Sequence, residues 1–143
     1  MLTVEKVAYL SRVDIFAGTP EYILAAVARI AEGVEVAEGE TFITEGAVED
    51  SMYIIVEGRV RVHSKDQGII DLGPGDSVGE LTVLDPQPRA ASVTALTPLF
   101  LFRITKNSFD EVMANWPEIA QGVIRALVRR VREQGRLMTG TQD

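Results

Sequence analysis

The sequence predicts a mainly β domain with helices at both ends. Two observations carry this. The apolar period changes from helical to two near Gly33 and back again near Thr105, and glycine turns punctuate the stretch between. Many short strands separated by glycine point to a sandwich, a barrel or a jelly roll.

Leu2, Val7, Leu10 and Val13 lie near helical spacing and predict a first helix. Thr19-Pro20-Glu21 is a start signal, with Thr19 as N-cap, Pro20 at the first helical position and an acid in the first turn. Ile23, Leu24, Val27 and Ile30 then make an apolar stripe that Gly33 should end. Strands are expected over 34–36, 41–43, 53–56, 59–62, 69–72, 91–96 and 99–102, separated by Glu38-Gly39, Glu45-Gly46, Glu57-Gly58, Gln67-Gly68 and Gly73-Pro74-Gly75. Gly58, between two strong strand patterns, predicts a hairpin. Thr105 reads as a helix cap, with Phe109, Val112 and Met113 on one face. A last helix is expected from Pro117 to about Met138, with Ile119, Val123, Leu127 and Val131 at intervals of four. Gly122 inside it costs up to ~1 kcal/mol, so packing must justify it. Residues 139–143 read as a frayed tail. The whole divides as one domain, 1–143: a helical segment 1–32, a β segment 33–104 and C-terminal helices 105–138. Its close trimming suggests one domain of a longer protein.

The 143 residues, 46% hydrophobic and 24% charged, suffice for a real core. No apolar run approaches the ~18 residues that span a bilayer, and no secretion signal opens the chain. With no cysteine there is no disulfide framework or thiolate metal site, in keeping with the cytoplasm. A net charge of −7 argues against a broad nucleic-acid surface. Residues 117–143 carry five Arg and three acids, and their +2 leaves −9 on residues 1–116. An anionic ligand must therefore find a local positive pocket.

One stretch escapes β patterning: Gly79-Glu80-Leu81-Thr82-Val83-Leu84, then Asp85-Pro86-Gln87-Pro88, then Arg89-Ala90-Ala91-Ser92-Val93. The first six residues suit a helical turn or two, whose free N–H groups attract anions. Ala90 and Ala91 let an anionic oxygen approach the backbone, and Arg89 adds a charge-assisted fork for phosphate. Glu80, acceptor-only when ionised, suits a ribose hydroxyl instead. One cation, one carboxylate and free amides fit a singly charged sugar phosphate. ATP would want more cations, a metal and a glycine-rich loop.

At these residues the chain resembles the phosphate-binding cassette of cyclic-nucleotide-binding domains, which runs Gly-Glu-Leu, a short loop, then Arg-Ala-Ala-Thr/Ser-Val. The spacing of ten from Gly79 to Arg89 is similar to that in protein kinase A regulatory subunits and the catabolite activator protein. The resemblance spans nearly the whole chain, with Gly39, Gly46, Gly58 and Gly75-Asp76 at the family's glycine turns. It implies a β jelly roll (double-stranded β-helix) over 33–104 with the cassette at 79–93, between N-terminal helices and C-terminal helices that include a lid. Arg89 would hold the exocyclic phosphate oxygen, helped by the N–H of Ala90 or Ala91, with Ser92 closing the cassette. Glu80 would accept the ribose 2′-hydroxyl, with backbone contacts from Gly79 and Leu81. Members preferring cGMP tend to carry Thr directly after the Arg; Ala90 stands there and favours cAMP. Val78 replaces the common Phe before Gly-Glu. Alignment on Pro117 makes Arg130 and Gln134 candidate lid contacts.

Plainer readings compete. Arg89 alone could be a surface ion pair with Asp85, and Glu80 a solvated acid at a helix start. Arg125, Arg129, Arg130, Arg132 and Arg136 read best as a solvated helix face, with Glu133 available for pairing, or as an interface, rather than a DNA surface. A lone His63 cannot hold a metal and reads as a surface residue; Trp116 packs at a helix junction, and Met113 and Met138 are filler and tail. No Ser-His-Asp set, no second histidine and no paired carboxylates support catalysis. The expectation is a non-enzymatic cAMP sensor that needs no cofactor, signalling through its C-terminal helix to a fused or partner effector such as a channel, transporter or enzyme. A homodimer is compatible, and neither nucleic-acid contact nor membrane insertion is expected. The alternative is a nucleotide-free interaction module on the same scaffold.

Overall fold

The computed structural model describes residues 2–65 and 68–139. Helices α1 (Thr3–Leu10) and α2 (Glu21–Ile30) flank a 3-10 turn at Asp14–Phe16. Eight strands follow among the described residues: β1 (Glu32–Val36), β2 (Thr41–Ile43), β3 (Met52–Glu57), β4 (Val60–Ser64), β5 (Gly68–Leu72), β6 (Ser77–Val78), β7 (Ser92–Ala95) and β8 (Leu99–Ile104). Helices α3 (Lys106–Asn115) and α4 (Pro117–Thr139) complete the order. The strands form two antiparallel sheets, β1-β8-β3-β6 and β2-β7-β4-β5, giving the expected β roll with helices at both ends.

The apolar runs explain the layering. In β3, Met52, Ile54 and Val56 join a core with the helices, while Tyr53 and Ile55 point into the core between the sheets. Phe102 and Ile104 of β8 face the helices, whereas Leu99 and Leu101 face the other sheet. A strand covered on both faces must be apolar on both, so β3 and β8 lack polar alternation. Leu10, Ile15, Phe16, Ile23, Leu24, Phe109 and Ile119 complete the helical layer.

The expected hairpin at Gly58 does not form, because β3 and β4 lie in different sheets. Gly58 sits at φ +97°, and a Cβ there would stand 2.4 Å from the Pro98 carbonyl oxygen. The Leu96 N–H donates to the Arg59 carbonyl (2.9 Å), and the Arg59 N–H donates to Thr97 Oγ1 (3.1 Å). The 96–98 turn thus captures the chain and redirects it to the second sheet. The hairpin that forms joins β4 to β5, with Val60 opposite Leu72 and Ser64 opposite Gly68. Gln67 of the Gln67-Gly68 turn lies outside the described residues.

Three more local signals resolve differently. Gly33 does not stop α2, which ends at Ile30; it lies within β1 opposite Phe102, where a Cβ would meet the Phe100 ring at 2.9 Å. Thr19 does not cap α2, whose N-cap position is Pro20. Instead Thr19 is buried with Oγ1 unpartnered among the described residues, and a Cβ on Gly122 would stand 2.9 Å from that oxygen. Gly122 therefore lets α4 approach the 19–20 turn, which is the packing that justifies it. β6 was not expected; its two residues pair with Tyr53 and Ile54, too short to show a period.

Thr105 does cap α3, its Oγ1 accepting from the Ser108 N–H at 3.4 Å. Along α4 the expected stripe is buried only at its start: Ile119, Val123 and also Ala126 are covered, Leu127 is half-buried, and Val131 is 69% exposed. Residues 140–143 of the expected tail lie outside the described residues.

Candidate functional site

Between β6 and β7 the chain leaves the sheets. Main-chain bonds from Val83 to Gly79 (3.2 Å), Leu84 to Leu81 (3.1 Å) and Asp85 to Leu81 (2.9 Å) wind 79–85 into consecutive turns rather than a regular helix. Val83 anchors this segment in the helical core, while Leu81 is half exposed. The rest is stitched to the 46–48 loop: Val48 bridges Pro88, the Arg89 N–H donates to the Ala47 carbonyl (2.9 Å), and the Gly46 N–H donates to the Arg89 carbonyl (2.8 Å).

That clamp turns the Arg89 side chain inward, where only 6% of it is exposed. Nη2 donates to Glu49 Oε2 at 2.8 Å and to the Ser51 carbonyl at 2.6 Å, while Nε is buried and has no partner among the described residues. Asp85 is not its partner, and the surface reading of Arg89 fails. Gly79 adopts φ +79°, and a Cβ there would lie 2.4 Å from Arg89 Nη1 and 2.9 Å from the Ser51 carbonyl oxygen. Only glycine leaves room for the guanidinium.

Arg89, Gly79, Ala90 and Ala91 line one hollow of about 400 Å³, together with Thr82 and Pro88. Its remaining wall is apolar: Ile43 of β2, Val62 of β4, Ile70 and Leu72 of β5, Val78 of β6 and Val93 of β7. A concave apolar chamber with one buried cation and main chain fronted by methyl groups suits a small ligand carrying a flat apolar part and one anionic group.

Glu80 is not on that wall, although Gly79 and Thr82 on either side are. Its Oε1 accepts a hydrogen bond from Arg130 Nη2 of α4, and its Oε2 is buried without a partner among the described residues. Arg130 Nε donates to Asp14 Oδ2 at 2.6 Å, so one guanidinium joins the 79–85 segment, α4 and the N-terminal 3-10 turn. Burial works against the Arg130 charge, but the hydrogen bonds to Asp14 and Glu80 outweigh it and raise its pKa. Gln134 is exposed and does not reach the hollow. Ser92 turns to the opposite side, its Oγ accepting from the Glu45 N–H at 2.9 Å.

Glu49, Thr82 and the apolar wall escaped sequence reading. The wall residues lie at alternating strand positions facing one side, a signal that becomes readable once the sheet assignment is known. Glu49 left no signal, because its meeting with Arg89 depends on the 46–48 clamp. The phenol of Tyr53 donates to Glu49 Oε1 at 3.0 Å, and burial together with that carboxylate pushes its pKa up to about 12. His63 is half-buried and hydrogen-bonds Thr94 Oγ1 at 2.9 Å, so it is not a free surface residue. Among the described residues, no group of three His, Cys, Asp or Glu side chains could hold a metal ion, and no helix is long and apolar enough to cross a membrane.

Residues 33–115 match the family model of the cyclic nucleotide-binding domain. Over 128 residues the chain is 31% identical to a CRP-like cAMP-activated global transcriptional regulator of Mycobacterium tuberculosis, covering 86% of this chain and 57% of that protein. It is 32% identical over 108 residues to a cAMP-dependent protein kinase regulatory subunit of Aspergillus fumigatus, covering 74% of this chain and 26% of the subunit. The chain thus spans little more than half of the regulator and about a quarter of the subunit. The crystal structure of the N-terminal domain of a transcriptional regulator from Streptomyces coelicolor A3(2) superposes with a TM-score of 0.85 at 29% identity, covering 94% of this chain and 96% of that one.

Proposed function

We propose that this chain, which belongs to the cyclic nucleotide-binding domain family, is a non-enzymatic cAMP sensor that reports occupancy through α4. The observation that carries the reading is the buried Arg89 guanidinium, which lines an apolar chamber beside Gly79, Ala90 and Ala91. In it the cyclic phosphate lies on Arg89 and the alanine main chain, and the base packs on the β4 and β5 side chains. Ala90 after the arginine favours cAMP over cGMP, and both curated relatives described above carry cAMP in their names.

Glu80 supplies the coupling. Its Oε2 is an acceptor with nothing to accept, which suits a ribose hydroxyl, while its Oε1 is tied to Arg130. Because Glu80 stands outside the chamber wall, a ribose reaches it only if the 79–85 turns shift. Arg130 then moves with them and carries α4. Nucleotide contacts available only in the shifted arrangement favour that state, which is a population shift. The output passes to an effector, fused or separate, in the cytoplasm. Ile124, Val128, Val131 and Met138, exposed on α4 at spacings of 4, 3 and 7, support pairing with a second copy, which sedimentation equilibrium would detect.

Calorimetry with cAMP and cGMP tests the reading. Heat with cAMP, and weaker binding of cGMP, is expected; silence from both at high micromolar ligand sinks it. One observation favours a second reading, a nucleotide-free interaction module: Arg89 and Glu80 are each ion-paired within the chain, so neither charge requires a nucleotide. The same silence would leave that alternative standing.

A further inference from the structure

Arg89, together with Ile43, lines two hollows. One is the chamber described above; the other is an outer hollow of about 410 Å³ whose lining includes Glu49, Tyr53 and Arg103. The Glu49 carboxylate approaches the guanidinium from this outer side and is itself fixed, with Oε2 on Arg89 Nη2 at 2.8 Å and Oε1 receiving the Tyr53 hydroxyl at 3.0 Å. The Ser51 carbonyl takes a further bond to Nη2 at 2.6 Å, and Arg103 Nε is engaged by Ser51 Oγ at 3.1 Å. The carboxylate beside Arg89 is therefore that of Glu49.

We propose that Glu49 is a resident competitor of the ligand phosphate for Arg89, and so sets the nucleotide concentration at which the domain responds. This inference rests on the cyclic-nucleotide reading and deepens it. A buried guanidinium without a counter-charge is strongly unfavourable, so an empty site lacking Glu49 would hold an uncompensated cation that draws the phosphate in. With Glu49 in place the cation is already neutralised. An arriving phosphate then gains only the surplus over that pair, and it meets a second anion across one guanidinium in a poorly screened setting. Glu49 is a positioning and threshold residue that need not touch the nucleotide.

The test is cAMP calorimetry on the wild-type chain, Glu49→Gln and Tyr53→Phe, with thermal melts of each. Gln keeps the size of Glu and an acceptor oxygen for Nη2 but carries no charge. Competition predicts that E49Q binds on the order of tenfold more tightly than wild type. Tyr53→Phe frees the carboxylate to turn toward solvent and tightens binding about twofold, while its ring keeps the edge contact to Phe42. A purely orienting Glu49 predicts the reverse, so equal or weaker binding by a folded E49Q overturns the inference. If E49Q does not fold, Tyr53→Phe decides alone: tighter binding supports competition, and equal or weaker binding ends it. Absence of heat with the wild-type chain is a different failure, which strikes the cyclic-nucleotide reading itself.

Discussion

Glu80 and Arg89, nine positions apart in the 79–91 segment, are held in opposite ways. Arg89 is fixed by its main chain on both sides, at Ala47 and Gly46, and by its side chain on Glu49 and Ser51. All of these partners belong to the β roll. Glu80 sits on turns whose main-chain bonds are local, and its side-chain partner is Arg130 of α4, fifty positions further along. A group meant only to grip should have rigid, nearby supports. A group meant to transmit must share its contacts with an element that is packed less tightly, and in the second half of α4 Val131 and Leu137 are largely exposed. Under the proposed function, the difference separates a binding end from a signalling end within one short loop.

The most forceful way to break this comparison is Arg89→Ala. Removing the guanidinium leaves a desolvated phosphate unpaired, a loss of ~3–5 kcal/mol, which is a hundredfold or more in cAMP affinity. Calorimetry reads it directly. The melting temperature should move far less, because Glu49 is 29% exposed and can be hydrated once its partner is gone. Affinity within tenfold of wild type would mean that Arg89 is structural and not the gripping end.

Arg130→Ala sharpens the other side. Its ion pairs to Asp14 and Glu80 are partly exposed, with 29% of the Arg130 side chain accessible, so their removal costs about 1 kcal/mol. Affinity should fall only about fivefold. The larger change is expected in hydrogen exchange: cAMP should alter protection along the second half of α4 in the wild-type chain and no longer do so in R130A. A variant that loses as much affinity as Arg89→Ala, or keeps the exchange response of α4, erases the distinction between the two ends.

The same contrast governs what could be read from the sequence. The helices and most strand positions were legible because each depends on short-range spacing, period two or period four, and the 79–93 segment stood out because it resembles a family pattern, with ten positions from Gly79 to Arg89. The fate of Gly58 was not, since a glycine turn between two apolar runs looks the same whether the chain folds back or crosses to another sheet. What decides is the 96–98 turn, forty residues away. Gly33 and Gly122 likewise carried true signals of close approach, to Phe100 and Thr19, that are ambiguous in one dimension. Arg130 was found only by alignment to a family pattern, and its two carboxylate partners could not be named from it. Glu49 was invisible, as an acid in a loop has no periodicity to betray a buried partner.

The finest test concerns Tyr53, whose hydroxyl fixes Glu49 behind the gripping end. Its pKa stands at about 12 against a reference of 10.0, first because burial disfavours the phenolate and then because the Glu49 carboxylate repels it. The folded chain therefore holds this proton more tightly than the unfolded chain does. Tyr53 contributes its full share of stability below pH 10 and loses it as the pH rises through about 12. Denaturant unfolding of the wild-type chain should show stability declining over that window, and Tyr53→Phe should flatten the decline while leaving stability at pH 7 within about 1 kcal/mol. An unchanged alkaline slope in Y53F would mean that the phenol is solvated and does not hold Glu49, and the rigid support claimed for the Arg89 end would lose one of its members.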